Sequence, residues 1–249
     1  MQYARSLIFV TQMYAMMAVM GVGFFPLALV SRKGAVWACK AYCRWVRWTA
    51  GWMVGLKSEI RGPVPQGEVV VAAKHQSFFD IILLYSALPS AKFIMKQELL
   101  WTPFIGQYAR RIGCVPVARG KRGAAIKKMV EDVAAGATVP GQLVIYPQGT
   151  RVAPDRYLPY KVGSHVLYAQ LEQPCVPAAT NVGVFWPRTG ILRKPGVAVV
   201  EFLDPIAPGM ARGAFMKALE AVVETRSQEL MRDAGFSDFP TERGEQTAR

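Results

Sequence analysis

Residues 6–31, SLIFVTQMYAMMAVMGVGFFPLALVS, include no charged side chain. A helix crosses a bilayer with about 20 apolar residues, so this run is long enough to span one. It is too long for the core of a signal peptide, and no small-x-small cleavage pattern follows it. Pro26 predicts a kink, because its ring nitrogen has no hydrogen to donate to the helix ladder. Thr11 and Gln12 weaken the apolar run. A spanning helix and a shallow, re-entrant anchor both satisfy these features.

Residues 36–56 carry a different pattern. Lys40, Arg44 and Arg47 recur at i, i+4 and i+7, which places them on one helical stripe. Trp37, Trp45, Trp48 and Trp52 fall on an adjoining arc. Tryptophan beside basic residues marks an interfacial helix, with rings at headgroup depth and cations among phosphates. A core helix with a solvated basic edge has the same periodicity, but four tryptophans in this short stretch favour the membrane surface. Only Arg5 precedes the uncharged run, whereas Arg32, Lys33, Lys40, Arg44 and Arg47 follow it. By the positive-inside rule the remainder of the chain is expected to be cytoplasmic.

The charge balance agrees with a membrane setting. The net charge of +13 is uneven: seven basic groups face one acidic in residues 1–60, eleven face five in residues 61–150, and twelve face eleven thereafter. A chain that is 52% apolar and 19% charged is not disordered. Being apolar as well as basic, it points to a membrane surface before nucleic acid. Cys39, Cys43, Cys114 and Cys175 form no C-x-x-C pair and have no histidine near them in sequence. They read as small buried thiols in a reducing compartment, and no metal site is expected.

Beyond Arg61-Gly62-Pro63 strand and helix signals alternate. Short β-branched or apolar runs predict strands at 69–73, 91–95, 113–118, 142–146, 175–180 and 197–202. Helical spacing predicts helices at 78–87, 121–135, 162–171 and 215–231. The expected organisation is a membrane anchor over 1–58 made of a helical pair, a single α/β domain over 59–235 with a buried mixed sheet flanked by helices, and a polar tail over 236–249.

Two constellations could carry chemistry. The first is Lys74-His75-Gln76-Ser77-Phe78-Phe79-Asp80, just past a predicted strand. Histidine suits general-base work near neutral pH, and a carboxylate on its other ring nitrogen would fix its tautomer. Such a pair takes a proton from a substrate hydroxyl without a protein nucleophile. A helix-capping His75 with a solvated Asp80 is the structural alternative. The second constellation is Tyr146-Pro147-Gln148-Gly149-Thr150-Arg151, where glycine admits close backbone approach to an anion and arginine offers a bidentate fork. Upstream, Gly113-Cys114-Val115-Pro116-Val117-Ala118-Arg119 ends another strand on an arginine. Arg119 and Arg151 could face the same crevice as His75, which suits a phosphate-bearing substrate. Lys127 and Lys128 read as a solvated face. The chain has no G-x-S-x-G elbow, P-loop or G-x-G-x-x-G, and neither Ser77, two residues from His75, nor Ser164, beside His165, is well placed as a histidine's partner.

Together these residues resemble the glycerolipid acyltransferase family, the 1-acylglycerol-3-phosphate acyltransferases of the bacterial membrane type. The family's N-H-x-S-x-x-D block reads here as residues 74–80, and its second block as 113–119. Its third, usually F-P-E-G-T-R, reads as 146–151, and its fourth as Val176-Pro177-Ala178-Ala179-Thr180-Asn181. Lys161-Val162-Gly163 is similar to the Lys-x-Gly pattern that often follows the third block. The resemblance implies acyl transfer from a thioester, of coenzyme A or acyl carrier protein, to the free hydroxyl of lysophosphatidic acid, making phosphatidic acid with no bound cofactor, metal or nucleic acid. It implies His75 and Asp80 as the catalytic pair and a place at the cytoplasmic face of the bacterial inner membrane, among anionic lipids. Arg119, Gln148, Gly149, Thr150, Arg151 and Lys161 are the implied substrate-binding residues. Lys74 stands where asparagine is frequent. Gln148 replaces the third-block glutamate, which keeps an acceptor but loses the charge. Acylation of another lysolipid, such as one with an amino-acid headgroup, or lipid hydrolysis are the alternative reactions, and non-enzymatic binding of anionic lipid or nucleic acid through the basic surface is the alternative class.

Overall fold

The computed structural model describes residues 1–102, 104–117, 131 and 140–240. The uncharged run becomes helices α1 (Gln2–Gly23) and α2 (Phe25–Val30), broken at Phe24 just before Pro26. Proline fits there because the first amides of a helix have no partner inside it. Helix α3 (Arg32–Thr49) starts four residues earlier than the basic stripe suggested, capped by the Ser31 hydroxyl, which accepts from the Gly34 amide at 3.3 Å. It continues into a π-helical turn, Ala50–Val54, that closes on Gly55.

Helix α1 is the one described helix long and apolar enough to cross a bilayer, and only 17% of its most apolar stretch is buried in the protein. The buried residues Ser6, Phe9 and Met13 share one face. Phe9 meets Trp186 edge-on at 5.5 Å, and the Arg193 amide donates to the Ser6 hydroxyl at 2.9 Å. Gln12, a weak point of the apolar run, accepts from the Trp45 indole at 2.9 Å and donates to the Thr49 hydroxyl at 3.1 Å. Phe9 and Met13 belong to the same apolar core as the body of the protein. Phe9→Ala is therefore expected to destabilise the whole fold by about 3–5 kcal/mol, read by thermal or denaturant unfolding in detergent. An unchanged midpoint would show that α1 is an independent attachment.

Among the described residues seven strands follow: β1 (Leu56–Arg61), β2 (Val69–Ala73), β3 (Ala91–Lys96), β4 (Val115–Val117), β5 (Gln142–Ile145), β6 (Cys175–Thr180) and β7 (Gly196–Phe202). Between and after them lie α4 (Phe78–Ala87), α5 (Ile105–Ile112), α6 (Gly163–Leu171), α7 (Val182–Phe185) and α8 (Arg212–Asp233). The strands form one sheet in the order β1-β7-β6-β2-β5-β3-β4. All described pairings are parallel except β6 with β7. The sheet is thus mixed, as expected, with β2 at its centre and buried along its whole length.

Alternation along β2 divides the core. Val69, Val71 and Ala73 face a layer built from α1 to α4. Val70 and Ala72 face Leu167 and Tyr168 of α6 and Phe215, Leu219 and Val223 of α8. A parallel centre needs apolar cover on both faces, and these two layers supply it.

Further boundaries differ from the sequence reading. The proposed break at residue 58 falls inside β1, which pairs with β7 along its full length. Gly113 and Cys114 belong to the end of α5, not to β4: Gly113 is left-handed (φ +85°) and the Cys114 amide donates to the Ala109 carbonyl at 2.9 Å. Residues 236–239 fold back on α8, with Arg232 over the Phe239 ring at 4.9 Å. Of the helix expected over 121–135 only Glu131 is described, in helical conformation, and residues 241–249 lie outside the description.

Candidate active site

The Lys74 amide extends the β2 ladder by donating to the Ala178 carbonyl at 3.0 Å, and the chain then turns into α4. Ser77 is the N-cap of α4: its hydroxyl accepts from the Phe79 amide at 3.2 Å. Asp80 closes the box from the third position of the helix. Its Oδ2 accepts from the Gln76 and Ser77 amides, both at 2.8 Å. Its Oδ1 lies 2.9 Å from Nδ1 of His75. One buried carboxylate therefore caps the helix and orients the imidazole.

The tautomer follows from this geometry. A carboxylate only accepts, so Nδ1 of His75 carries the hydrogen and Nε2 keeps a free lone pair. The Asp80 side chain is 1% exposed and that of His75 13%, so the acid is sheltered while the imidazole reaches solvent. Asp80 is thus not a solvated residue beside a capping histidine.

Strand β5 lies next to β2 in the sheet, and Tyr146 follows it at the same end. The Tyr146 ring stacks on His75 with centroids 3.8 Å apart and planes 14° from parallel. Burial, and after it the charge of Asp80, hold the Tyr146 hydroxyl well above the usual phenol range. It stays protonated and forms a face against which an imidazolium is stabilised. The loop then returns, and the Val152 amide donates to the His75 carbonyl at 2.7 Å. The first and third blocks are thereby joined at the carboxyl ends of adjacent parallel strands, where such sheets place their sites.

The remaining predicted residues lie along this loop. Gln148 is buried; its amide nitrogen donates to the Leu158 carbonyl at 3.0 Å, while Oε1 has no partner among the described residues. Gly149 takes φ +69°, and its neighbour across the loop is the Lys161 ammonium. Lys161 is exposed, and its amide donates to the Pro147 carbonyl at 2.9 Å. Thr150 is partly exposed, and Arg151 donates to the Arg188 carbonyl at 3.2 Å. Arg119, with Lys121, Arg122, Lys127 and Lys128, lies outside the described residues.

Against this geometry the comparison with known proteins is direct. The Acyltransferase family model matches residues 56–181, which run from β1 through the dyad and the third block to the end of β6. The chain belongs to the Acyltransferase family.

Among curated proteins, this chain is similar, at 26% identity over 161 residues, to a 1-acyl-sn-glycerol-3-phosphate acyltransferase of Pseudomonas aeruginosa, covering 64% of this chain and 63% of that protein. It is 32% identical over 130 residues to the human 1-acyl-sn-glycerol-3-phosphate acyltransferase alpha, covering 51% of this chain and 46% of the relative. The chain thus spans less than two thirds of these relatives. In fold it is similar to the crystal structure of the 1-acyl-sn-glycerophosphate (LPA) acyltransferase PlsC from Thermotoga maritima. The TM-score is 0.75 at 19% identity, covering 92% of this chain and 99% of that one.

What surrounds the dyad was not read from the sequence. Ser77-Phe78-Phe79-Asp80 is itself a capping-box signal at the mouth of an apolar run, which local spacing could have revealed. Lys74 had no such signal. It is buried, and its ammonium lies 2.6 and 2.7 Å from the two carboxylate oxygens of Glu224 on α8, 150 residues away. The Tyr160 hydroxyl donates to the same carboxylate at 3.0 Å. The fourth block is a structural clasp: Thr180 and Asn181 bond to the backbone of β7, and Asn181 also to the Leu230 carbonyl. Of the cysteines, Cys175 is buried and its thiol is pushed up to about 12 by burial, which makes it inert as a nucleophile. Among the described residues no three His, Cys, Asp or Glu side chains gather as a metal site.

Proposed function

We propose that this acyltransferase moves a fatty acyl group from a thioester of coenzyme A or acyl carrier protein to the free hydroxyl of 1-acylglycerol-3-phosphate, making phosphatidic acid. The observation that carries the reading is the His75–Asp80 pair, with Nδ1 held at 2.9 Å and Nε2 free. His75 Nε2 takes the acceptor's hydroxyl proton as that oxygen attacks the thioester carbonyl. Asp80 stabilises the imidazolium, and Tyr146 supports its face. When the tetrahedral intermediate collapses, the C–S bond breaks and the thiolate takes the proton from His75. Backbone amides near the third block are suited to the developing oxyanion.

Arg119, Thr150, Arg151 and Lys161 are assigned to the acceptor's phosphate, with Gly149 allowing close approach, and Gln148 is assigned to substrate hydrogen bonding. The names of the curated relatives support this acceptor. The apolar α1 and the basic residues that follow it support a place at the cytoplasmic face of the inner membrane, where anionic lipids surround the enzyme.

The test is turnover by the purified chain in detergent on lysophosphatidic acid and on lysolipids lacking a phosphate monoester, with each donor type and product identification. Phosphatidic acid from lysophosphatidic acid alone is expected. Equal turnover on an amino-acid-headgroup lysolipid would overturn the phosphate assignment, and fatty acid release without any acceptor would make the protein a hydrolase.

Gly149→Ala probes the same lip. A left-handed alanine costs roughly 1–2 kcal/mol, and its Cβ would lie 2.9 Å from Lys161 Nζ and push it aside. KM for the phosphate acceptor is expected to rise about 10-fold with kcat nearly kept. A loss of stability with KM unchanged would remove Lys161 from the acceptor site.

A further inference from the structure

Three cations converge away from the dyad. Arg44 and Arg47 of α3 and Lys57 of β1 line an open cleft of about 380 Å³ together with Trp48, Gly51 and Ser58. Arg47 is its inner wall. Its guanidinium is partly buried and donates to the Ser58 hydroxyl at 2.9 Å, the Ser86 hydroxyl at 2.9 Å and the Ser58 carbonyl at 3.4 Å. All three acceptors are uncharged. Among the described residues no carboxylate pairs with Arg44, Arg47 or Lys57; the nearby Glu59 is paired with Arg61 at 2.7 Å.

A partly desolvated guanidinium normally has an anion beside it, and here the protein supplies none. The site is also preorganised: two serines hold the Arg47 fork still, while Arg44 and Lys57 remain at the mouth. The rim identifies the medium. Trp48 lines the cleft and forms a ladder with Trp45 and Trp52, at centroid separations of 5.3 and 5.8 Å, and Trp48 and Trp52 are 60% and 59% exposed. Exposed indole rings beside cations match the depth at which lipid headgroups lie.

We propose that this cleft is a binding site for the phosphate of an anionic membrane phospholipid, separate from the acyl-transfer site. Arg47 meets the phosphate from within, Arg44 and Lys57 close on it from the mouth, and Trp48 packs against the glycerol backbone. A bound lipid would dock the α3–β1 corner on the bilayer by a specific contact in addition to the insertion of α1.

The test is titration of the full chain in neutral detergent micelles with phosphatidylglycerol, with glycerol 3-phosphate as the soluble counterpart. Saturable binding of the lipid is expected, weakened about 10-fold or more in Arg44→Gln/Lys57→Gln, because two charge-assisted contacts are lost. The control Lys33→Gln/Lys40→Gln removes the same charge from α3 outside the cleft and is expected to bind within about two-fold of wild type. Equal weakening in both variants would reduce the effect to surface charge and overturn the site. Glycerol 3-phosphate binding as tightly as the lipid, and competing with it, would assign the cleft to free phosphate esters and overturn the lipid assignment. Turnover of Arg44→Gln/Lys57→Gln in neutral micelles is expected to match wild type; binding is read without turnover, so this inference and the proposed reaction fail separately.

Discussion

His75→Ala is expected to lower turnover by about 10²–10⁴-fold with the fold retained, because it removes the group proposed to take the acceptor's proton. Asp80→Asn is the sharper companion. An asparagine at 80 can point its carbonyl at the Gln76 and Ser77 amides, which Asp80 Oδ2 now satisfies at 2.8 Å each, and so keep the helix cap. Its amide nitrogen then faces His75 Nδ1 as a donor. That forces the imidazole into the opposite tautomer, with the hydrogen on Nε2 and no lone pair left for the substrate. Turnover is expected to fall about as far as in His75→Ala, with a much smaller change in unfolding midpoint than Asp80→Ala, which leaves two amides at the mouth of α4 unpaired. Steady-state kinetics beside thermal unfolding separate the two effects. An Asp80→Asn enzyme near wild-type activity would show that the carboxylate is only a cap.

The second large effect is on stability. In Lys74→Met the Glu224 carboxylate remains buried with only Tyr160 donating to it, and the loss is expected to be about 3–5 kcal/mol. For a chain of this size that corresponds to roughly 6–20 °C in midpoint. The double variant Lys74→Met/Glu224→Leu is expected to recover much of the loss, since a buried pair replaced by apolar groups is often nearly neutral. A double-mutant cycle by chemical denaturation measures this. If the single variants are as stable as wild type, the pair is not held dry as described. Because the two residues link β2 to α8 one position before His75, the cycle also tests whether the C-terminal helix steadies the loop bearing the dyad.

The elements that sequence revealed are those whose burial is one-sided or complete. Residues 69–73, 78–87 and 175–180 are apolar runs bounded by polar turns, and their spans match β2, α4 and β6. The dyad was legible because both members lie within six residues. Strand β1 was not legible: Leu56–Arg61 alternates buried and polar positions on a sheet edge, and its partner lies 140 residues onward. Helix α5 hid for a related reason, being short and ending on a glycine that read as the start of a strand. The Lys74–Glu224 pair and the Tyr146 stack depend on strand order, which no local spacing encodes. Arg47 shows how a correct pattern misleads: the stripe with Lys40 and Arg44 is real, yet the Arg47 guanidinium turns inward to Ser58 and Ser86.

The central claim is direct transfer from thioester to lysolipid hydroxyl with His75 as base and no protein nucleophile. It is tested most directly by a single turnover with a carbonyl-labelled acyl thioester and excess enzyme, quenched with and without lysophosphatidic acid. Without acceptor, all label is expected to stay in the thioester, none on protein and none as free fatty acid; with acceptor it is expected to pass into phosphatidic acid. Label bound covalently to the protein, or fatty acid released in the absence of acceptor, would contradict it.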